Sequence, residues 1–179
     1  LKIRDGVIAL SDIRGVLTFD DEGIEGDGLK AILFGRPADA RVWGEPGKPD
    51  TYIRLSGKLG LIDALLDADD PLRKAVTGES DWQIKLSVRG APARGEAGNV
   101  GVQVTSSLAG TAMDLPAPRG TDARSVRPLA SEIDNVRHRD QSVTLAYGEE
   151  ISGKLLIESQ QDTTRLQRGM ISLGGGGAR

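Results

Sequence analysis

NVGVQVTSSLAGTAMDLPAP, residues 99–118, opens with Val100, Val102 and Val104 alternating with Gly101, Gln103 and Thr105. Successive side chains of a strand point to opposite faces, so this period of two describes a strand with one buried face. Ser106 and Ser107 continue it, Leu108-Ala109-Gly110 follows, and Leu115-Pro116-Ala117-Pro118 stops it. Neither proline can donate to a ladder, and each biases the residue before it away from α geometry. The stretch reads as a strand, a small-residue turn and a rigid apolar exit.

Working outward, the preceding Trp82, Ile84, Leu86 and Val88 alternate with Gln83, Lys85 and Ser87, the clearest strand in the chain. The loop Gly90–Gly98 joins the two, which predicts a hairpin. Upstream, Leu1–Leu10, Ile13–Phe19, Ile24–Phe34, Asp39–Trp43 and Thr51–Lys58 read as strands, with a hairpin signal at Asp5-Gly6. Ile13, Gly15, Leu17 and Phe19 share a face that Leu29, Ala31 and Leu33 can meet. Between Leu59 and Ala68 the period changes: Leu61, Ile62, Leu65 and Leu66 form an amphipathic helical face. Pro71 sits where a helix starts, so Leu72–Val76 is read as a second short helix, making a helical insertion over residues 59–76. Downstream, Val126–Val136, Ser142–Tyr147, Ile151–Glu158 and Thr164–Leu173 are strand candidates, and residues 174–179 read as a glycine-rich tail or linker to further chain. With about a dozen strands and one helical hairpin, residues 1–179 read as a single, mostly β segment.

Composition excludes several function classes. Twenty-four glycines and eight prolines among 179 residues favour strands and turns over a helical bundle, and an aromatic content of 3% makes any core aliphatic. A net charge of −3 with acids and bases interspersed lacks the basic face that nucleic acid requires. The chain has no cysteine, which removes disulfides, thiolate catalysis and cysteine-ligated metals. No apolar run reaches the roughly 18 residues of a membrane span, and no signal-peptide pattern is present. The chain starts inside what reads as a strand, so it is expected to be a piece of a longer protein.

The catalytic motifs fail one by one. His138-Arg139-Asp140 echoes a kinase catalytic loop, but no glycine-rich loop, strand lysine or Asp-Phe-Gly accompanies it, so it reads as a charged turn. His138 is the only histidine, and a metal site built on it would need carboxylates alone to complete it. Asp20-Asp21-Glu22 and Asp67-Asp69-Asp70 lack the ligand spacing of a calcium loop and read as a solvated turn and a helix cap. The glycines at 23, 26 and 28 have the wrong spacing for a dinucleotide fingerprint, Gly174–Gly177 lacks the lysine of a phosphate loop, and no Gly-x-Ser-x-Gly elbow occurs. No catalytic residue, metal site or cofactor is assigned.

The pattern Ile13-x-Gly15-x-Leu17-x-Phe19, Gly23-Ile24, Leu29-x-Ala31-x-Leu33-x-Gly35 resembles the repeating strand unit of the AsmA-like superfamily. Val100–Pro118, with Ser107-Leu108-Ala109-Gly110 leading to Leu115-Pro116-Ala117-Pro118, is similar to the YhdP family within it, as is Leu166-Gln167-Arg168-Gly169-Met170-Ile171-Ser172-Leu173-Gly174-Gly175. The resemblance implies a strongly curved antiparallel sheet, groove- or taco-like, apolar within and polar outside. It also implies an inner-membrane-anchored periplasmic protein of a Gram-negative bacterium, concerned with phospholipid transport to the outer membrane and with envelope integrity. The partners implied are phospholipid acyl chains and the remainder of the same long chain.

On that reading Trp82, Ile84, Leu86, Val88, Val100, Val102, Val104 and Leu108 are the groove-lining candidates, shielding acyl chains at about 0.8 kcal/mol per buried methylene. The same alternation also describes the closed core of any β-sandwich, so a structural or protein-interaction scaffold of the envelope, carrying no lipid, stays open. A carbohydrate-active enzyme would need paired carboxylates facing a cleft, which sequence cannot place. Cut sheet edges invite pairing, so a homodimer through edge strands near Leu1–Leu10 or Thr164–Leu173 is a further expectation.

Overall fold

The computed structural model describes residues 9–21, 23–61, 71–90, 99–114, 122–134, 140–160 and 163–174. Among the described residues there are thirteen strands: β1 (Leu10–Arg14), β2 (Thr18–Phe19), β3 (Ile24–Leu33), β4 (Arg36–Gly44), β5 (Thr51–Leu59), β6 (Val76–Gly78), β7 (Ser80–Val88), β8 (Val100–Ser106), β9 (Thr111–Met113), β10 (Leu129–Asp134), β11 (Asp140–Tyr147), β12 (Ile151–Gln160) and β13 (Thr163–Leu173). Eleven form one antiparallel sheet in the order β1-β3-β4-β5-β7-β8-β10-β11-β12-β13, with β2 also on β3. Spatial order follows chain order once β6 and β9 are set aside as a separate two-stranded ribbon. The end strands β1 and β13 do not pair with each other, so the sheet is not closed into a barrel.

Local chemistry explains the connections. Phe34 and Gly35, both at positive φ (50° and 81°), make the two-residue turn between β3 and β4, with Leu33 opposite Arg36. Left-handed geometry at both central residues matches the twist of the flanking strands. The hairpin expected between Trp82–Val88 and the strand from Asn99 is present: β7 pairs with β8 from Trp82↔Ser106 to Val88↔Val100. Ile13–Phe19 is interrupted rather than continuous, breaking after Arg14 at Gly15 and resuming at Thr18.

The helical hairpin is not seen. Leu59, expected to open the first helix, closes β5, and residues 62–70, where most of that helix falls, lie outside the described residues. The second helix, expected over Leu72–Val76, is instead a single 3-10 turn at Pro71–Lys74 leading directly into β6. Four residues are too few to repay helix nucleation, and Val76 is buried in a strand pairing with Met113, so tertiary pairing overrides the local apolar pattern. Residues 1–8 with Asp5-Gly6, the 91–98 part of the β7–β8 loop, Leu115–Pro118, His138-Arg139, Asp67-Asp69-Asp70 and residues 175–179 also lie outside the described residues.

One core joins strands β3 to β10: Leu29, Leu33, Ala38, Ala40, Leu55, Leu59, Trp82, Ile84, Val102, Val104, Leu108 and Ile133 pack as a continuous cluster. It is aliphatic apart from Trp82, as the low aromatic content requires.

Candidate functional site

Residues directly opposite one another in an antiparallel ladder project from the same face. Following the pairing from strand to strand gives a row of such positions across the sheet: Leu29, Ala40, Leu55, Ile84, Val104, Ser131, Leu145, Gly153 and Ile171. A second row on this face runs Ala31, Ala38, Gly57, Trp82, Ser106, Leu129, Tyr147, Ile151 and Leu173. A third holds Val42, Ile53, Leu86, Val102, Ile133, Val143, Leu155 and Gly169. From β3 to β13 one face of the sheet is therefore predominantly apolar, interrupted in these rows only by Ser106 and Ser131.

Its cover is not uniform. In the first row Leu55 is 0% exposed and Ile84 2%, whereas Leu145 is 40% and Ile171 63% exposed. Leu173 ends the second row at 67%, while Trp82 in the same row is buried. Leu166, opposite Ile157 beyond a bulge in the β12–β13 pairing, is exposed as well. The apolar face is thus sealed over the middle of β3–β8, with Val42, Ile53 and Leu86 half-buried at the margin, and becomes progressively open over β11–β13. Exposed apolar positions that recur on one face make a contiguous patch, which carries more meaning than scattered ones.

One end of the sealed part is locked by the ribbon. The Trp82 indole Nε1–H donates to the Leu59 carbonyl at 3.1 Å. The Ser106 hydroxyl donates to the Asp81 carbonyl at 2.8 Å and lies 3.2 Å from the Ser80 hydroxyl, which in turn is 3.3 Å from Thr111 Oγ1. The Leu108 N–H donates to Ser106 Oγ at 3.1 Å. Ser80, Ser106 and Thr111 are all buried, and every buried side-chain polar atom among the described residues has a partner, so this polar knot is a satisfied one. The ribbon comes close enough to need glycine: a Cβ built on Gly78 would lie 2.0 Å from the Gly110 carbonyl oxygen. At the far side of the ribbon, the Tyr147 hydroxyl lies 3.6 Å from Met113 Sδ, where the sealed region gives way to the open strands.

Of the eight residues singled out from the sequence, Trp82, Ile84, Val102, Val104 and Leu108 belong to the packed core, Val100 is buried opposite a half-buried Val88, and Leu86 packs against the core from its margin. The structure gathers all but Leu108 on one face of the β7–β8 hairpin. Leu108, just past β8, adopts a left-handed φ of 53° and still buries its side chain. The open apolar positions Leu145, Leu166, Ile171 and Leu173 were not singled out; alternation in Val143-x-Leu145-x-Tyr147 and Ile171-x-Leu173 was the available signal.

The opposite face is polar. Lys30 pairs with Asp39 across β3 and β4, and Arg41 Nε binds Asp27 at 2.8 Å. Trp43 stacks on Tyr52 at 5.5 Å between ring centroids, with the Arg54 guanidinium 5.4 Å from the Trp43 ring and the Lys85 amine 5.0 Å from the Tyr52 ring. In the β4–β5 turn, the hydrogen bond and charge of Lys48 hold the Glu45 carboxyl below the usual carboxylate range, and Glu45 raises the Lys48 amine in the same way. Among the described residues no cluster of three or more His, Asp or Glu could hold a metal ion, and no helix is long and apolar enough to cross a membrane.

Comparison with known proteins follows the same direction as the strand pattern. A family model described as YhdP protein matches residues 1–179. No curated protein and no solved structure matches the chain. The chain belongs to the YhdP family, a membership consistent with an envelope-associated, AsmA-like protein.

Proposed function

We infer that this chain is a non-enzymatic stretch of wall in a phospholipid-shielding groove, and that the acyl chains lie on the open apolar face of β11–β13. The observation that carries the reading is the course of exposure along one register row, from Ile84 at 2% to Leu145 at 40% and Ile171 at 63%. An aliphatic face left open to water costs free energy unless something apolar covers it, and an acyl chain is chemically matched to Leu145, Leu155, Ile171 and Leu173. Shielding an acyl chain needs no catalytic group and few polar anchors, because the head group stays in water. On this reading the sheet curves into a groove within a longer, inner-membrane-anchored protein of the Gram-negative periplasm, and the groove carries phospholipid towards the outer membrane. The sealed β3–β8 half acts as the rigid support that holds the open half in register.

A second reading rests on the packing of Trp82, Ile84, Val102 and Val104: a closed-core envelope scaffold that carries no lipid and offers β11–β13 to protein. Organic extraction and native mass spectrometry of the chain purified from membranes without detergent exchange separate the two. Co-purifying phospholipid that is lost in Leu145→Asp supports the groove; a lipid-free protein, or lipid retained in that variant, supports the scaffold.

A further inference from the structure

Over β11–β13 the polar face carries a hollow that the apolar rows do not explain. On it Lys154 stands opposite Met170, and Leu156 opposite Arg168. Residues two apart on a strand share a face, so these four make a square with cations at one pair of diagonal corners and apolar side chains at the other. Ser142 stands opposite Leu156 in the β11–β12 pairing, and these five, with the intervening Leu155 and Gly169, line a half-open hollow of about 660 Å³, comparable in size to small-molecule pockets. Leu156 is 37% and Met170 59% exposed, on the side of the sheet where the neighbouring positions are polar. Lys154 and Arg168 are exposed, and neither forms an ion pair among the described residues.

That arrangement selects a ligand with two parts. A small inorganic anion between two exposed cations gains little, because water and salt screen the pair. An uncharged alkyl chain would cover Leu156 and Met170 but leave both cations without a counter-charge. A carboxylate or phosphate head joined to an alkyl body satisfies both, with the arginine fork able to take two oxygens at once and the aliphatic stems of Lys154 and Arg168 extending the apolar floor. We propose that this hollow binds an anionic amphiphile, its head group between Lys154 and Arg168 and its alkyl chain along Leu156 and Met170. The site lies on the face opposite Leu145 and Ile171, so it stands or falls separately from the acyl-chain surface proposed above.

The chain has no cysteine, so Ser142→Cys gives a single attachment point for an environment-sensitive fluorophore at the hollow. Dodecyl phosphate, titrated below its micelle concentration, is expected to bind saturably and at least about tenfold more tightly than dodecyl maltoside, with inorganic phosphate silent. Reversing both charges in Lys154→Glu/Arg168→Glu weakens dodecyl phosphate by about tenfold or more, while Leu145→Ser on the other face leaves it unchanged. Circular dichroism of each variant verifies that the sheet is intact. Dodecanoate binding as tightly as dodecyl phosphate assigns the site to anionic heads in general, and weaker dodecanoate binding assigns it to phosphate; either result upholds the proposal. Equal affinity for dodecyl maltoside, indifference to charge reversal, or loss in Leu145→Ser overturns it, as does a signal that arises only from association of two copies.

Discussion

Ile84 and Leu145 stand in one register row of the sheet, linked through Val104 and Ser131, yet Ile84 is 2% and Leu145 40% exposed. Two aliphatic side chains with the same orientation therefore do different work, one holding the fold together and the other facing outward from it. Ile84→Ala removes atoms from a filled core and is expected to cost about 2–5 kcal/mol, whereas Leu145→Ala costs about 1 kcal/mol or less. Urea unfolding followed by Trp82 and Trp43 fluorescence measures both; equal losses contradict the division of the face.

Trp82→Phe keeps an aromatic ring in the core and removes the donor to the Leu59 carbonyl. The expected loss is about 1–3 kcal/mol, the range for leaving a buried polar group without its partner, plus whatever the smaller ring leaves unfilled. Leu59→Ala at the other end of that bond leaves the carbonyl in place, so thermal unfolding of the two variants separates the hydrogen bond from the packing.

Gly110, just before β9, has a φ of 98° and passes so close to the β6–β7 link that a Cβ there would meet the Glu79 carbonyl oxygen at 2.2 Å. Gly47 has a φ of 74° with nothing within 4 Å of a built Cβ. Gly47→Ala therefore carries only the left-handed backbone cost of about 1–2 kcal/mol, while Gly110→Ala adds a collision with backbone and is expected to cost clearly more. Hydrogen exchange at Val76–Gly78 and Thr111–Met113 reads the difference, since loosening should be confined to the ribbon in the Gly110 variant.

How much of this was legible in advance depends on what each signal measures. Alternation at Trp82–Val88 and Val100–Val104 reports which side chains share a face, and it placed the β7–β8 hairpin within a residue or two. Alternation does not report what covers that face, because Ile84 and Leu145 leave the same imprint on the sequence. The covering comes from long-range contacts: the ribbon brings Thr111 to Ser80, and Met113 to Tyr147, across 31 and 34 residues. The same cause explains Leu72–Val76, where an apolar pair in a short segment reads as a helical turn until Val76 finds Met113. Leu108 reads as a groove-lining candidate leading into a small-residue turn, but nothing local marks a leucine that takes a left-handed φ and is still buried.

The Glu45–Lys48 pair responds to pH in opposite directions at its two ends. Because Lys48 lowers the Glu45 carboxyl, that pairing favours the folded chain above the carboxyl's unfolded pKa and is lost as pH falls through the lowered folded value. Because Glu45 raises the Lys48 amine, its contribution is complete below the amine's unfolded pKa and is lost as pH rises through the raised folded value. In Lys48→Met the Glu45 titration, followed by carboxyl NMR, is expected to move up towards the ordinary carboxylate range; an unmoved midpoint refutes the pairing.

Strand β13 ends the sheet order, and among the described residues one of its backbone edges has no strand partner. Such an edge templates further pairing, so the isolated chain is expected to self-associate with rising concentration through β13. Sedimentation measures the association, and disulfide formation in Ser172→Cys maps it; an association that leaves the introduced thiol unlinked and the β13 amides unprotected contradicts this edge.

Site-specific photo-crosslinking is the most direct test of the proposed acyl-chain surface. A benzophenone amino acid is introduced singly at Leu145, at Ile171 and at Val104 in the protein expressed in Gram-negative cells, irradiated, and scored for phospholipid adducts by mass spectrometry. Adducts at Leu145 and Ile171, with none at Val104, are the predicted result. Adducts at Val104 alone, or protein adducts without lipid at Leu145 and Ile171, would contradict it.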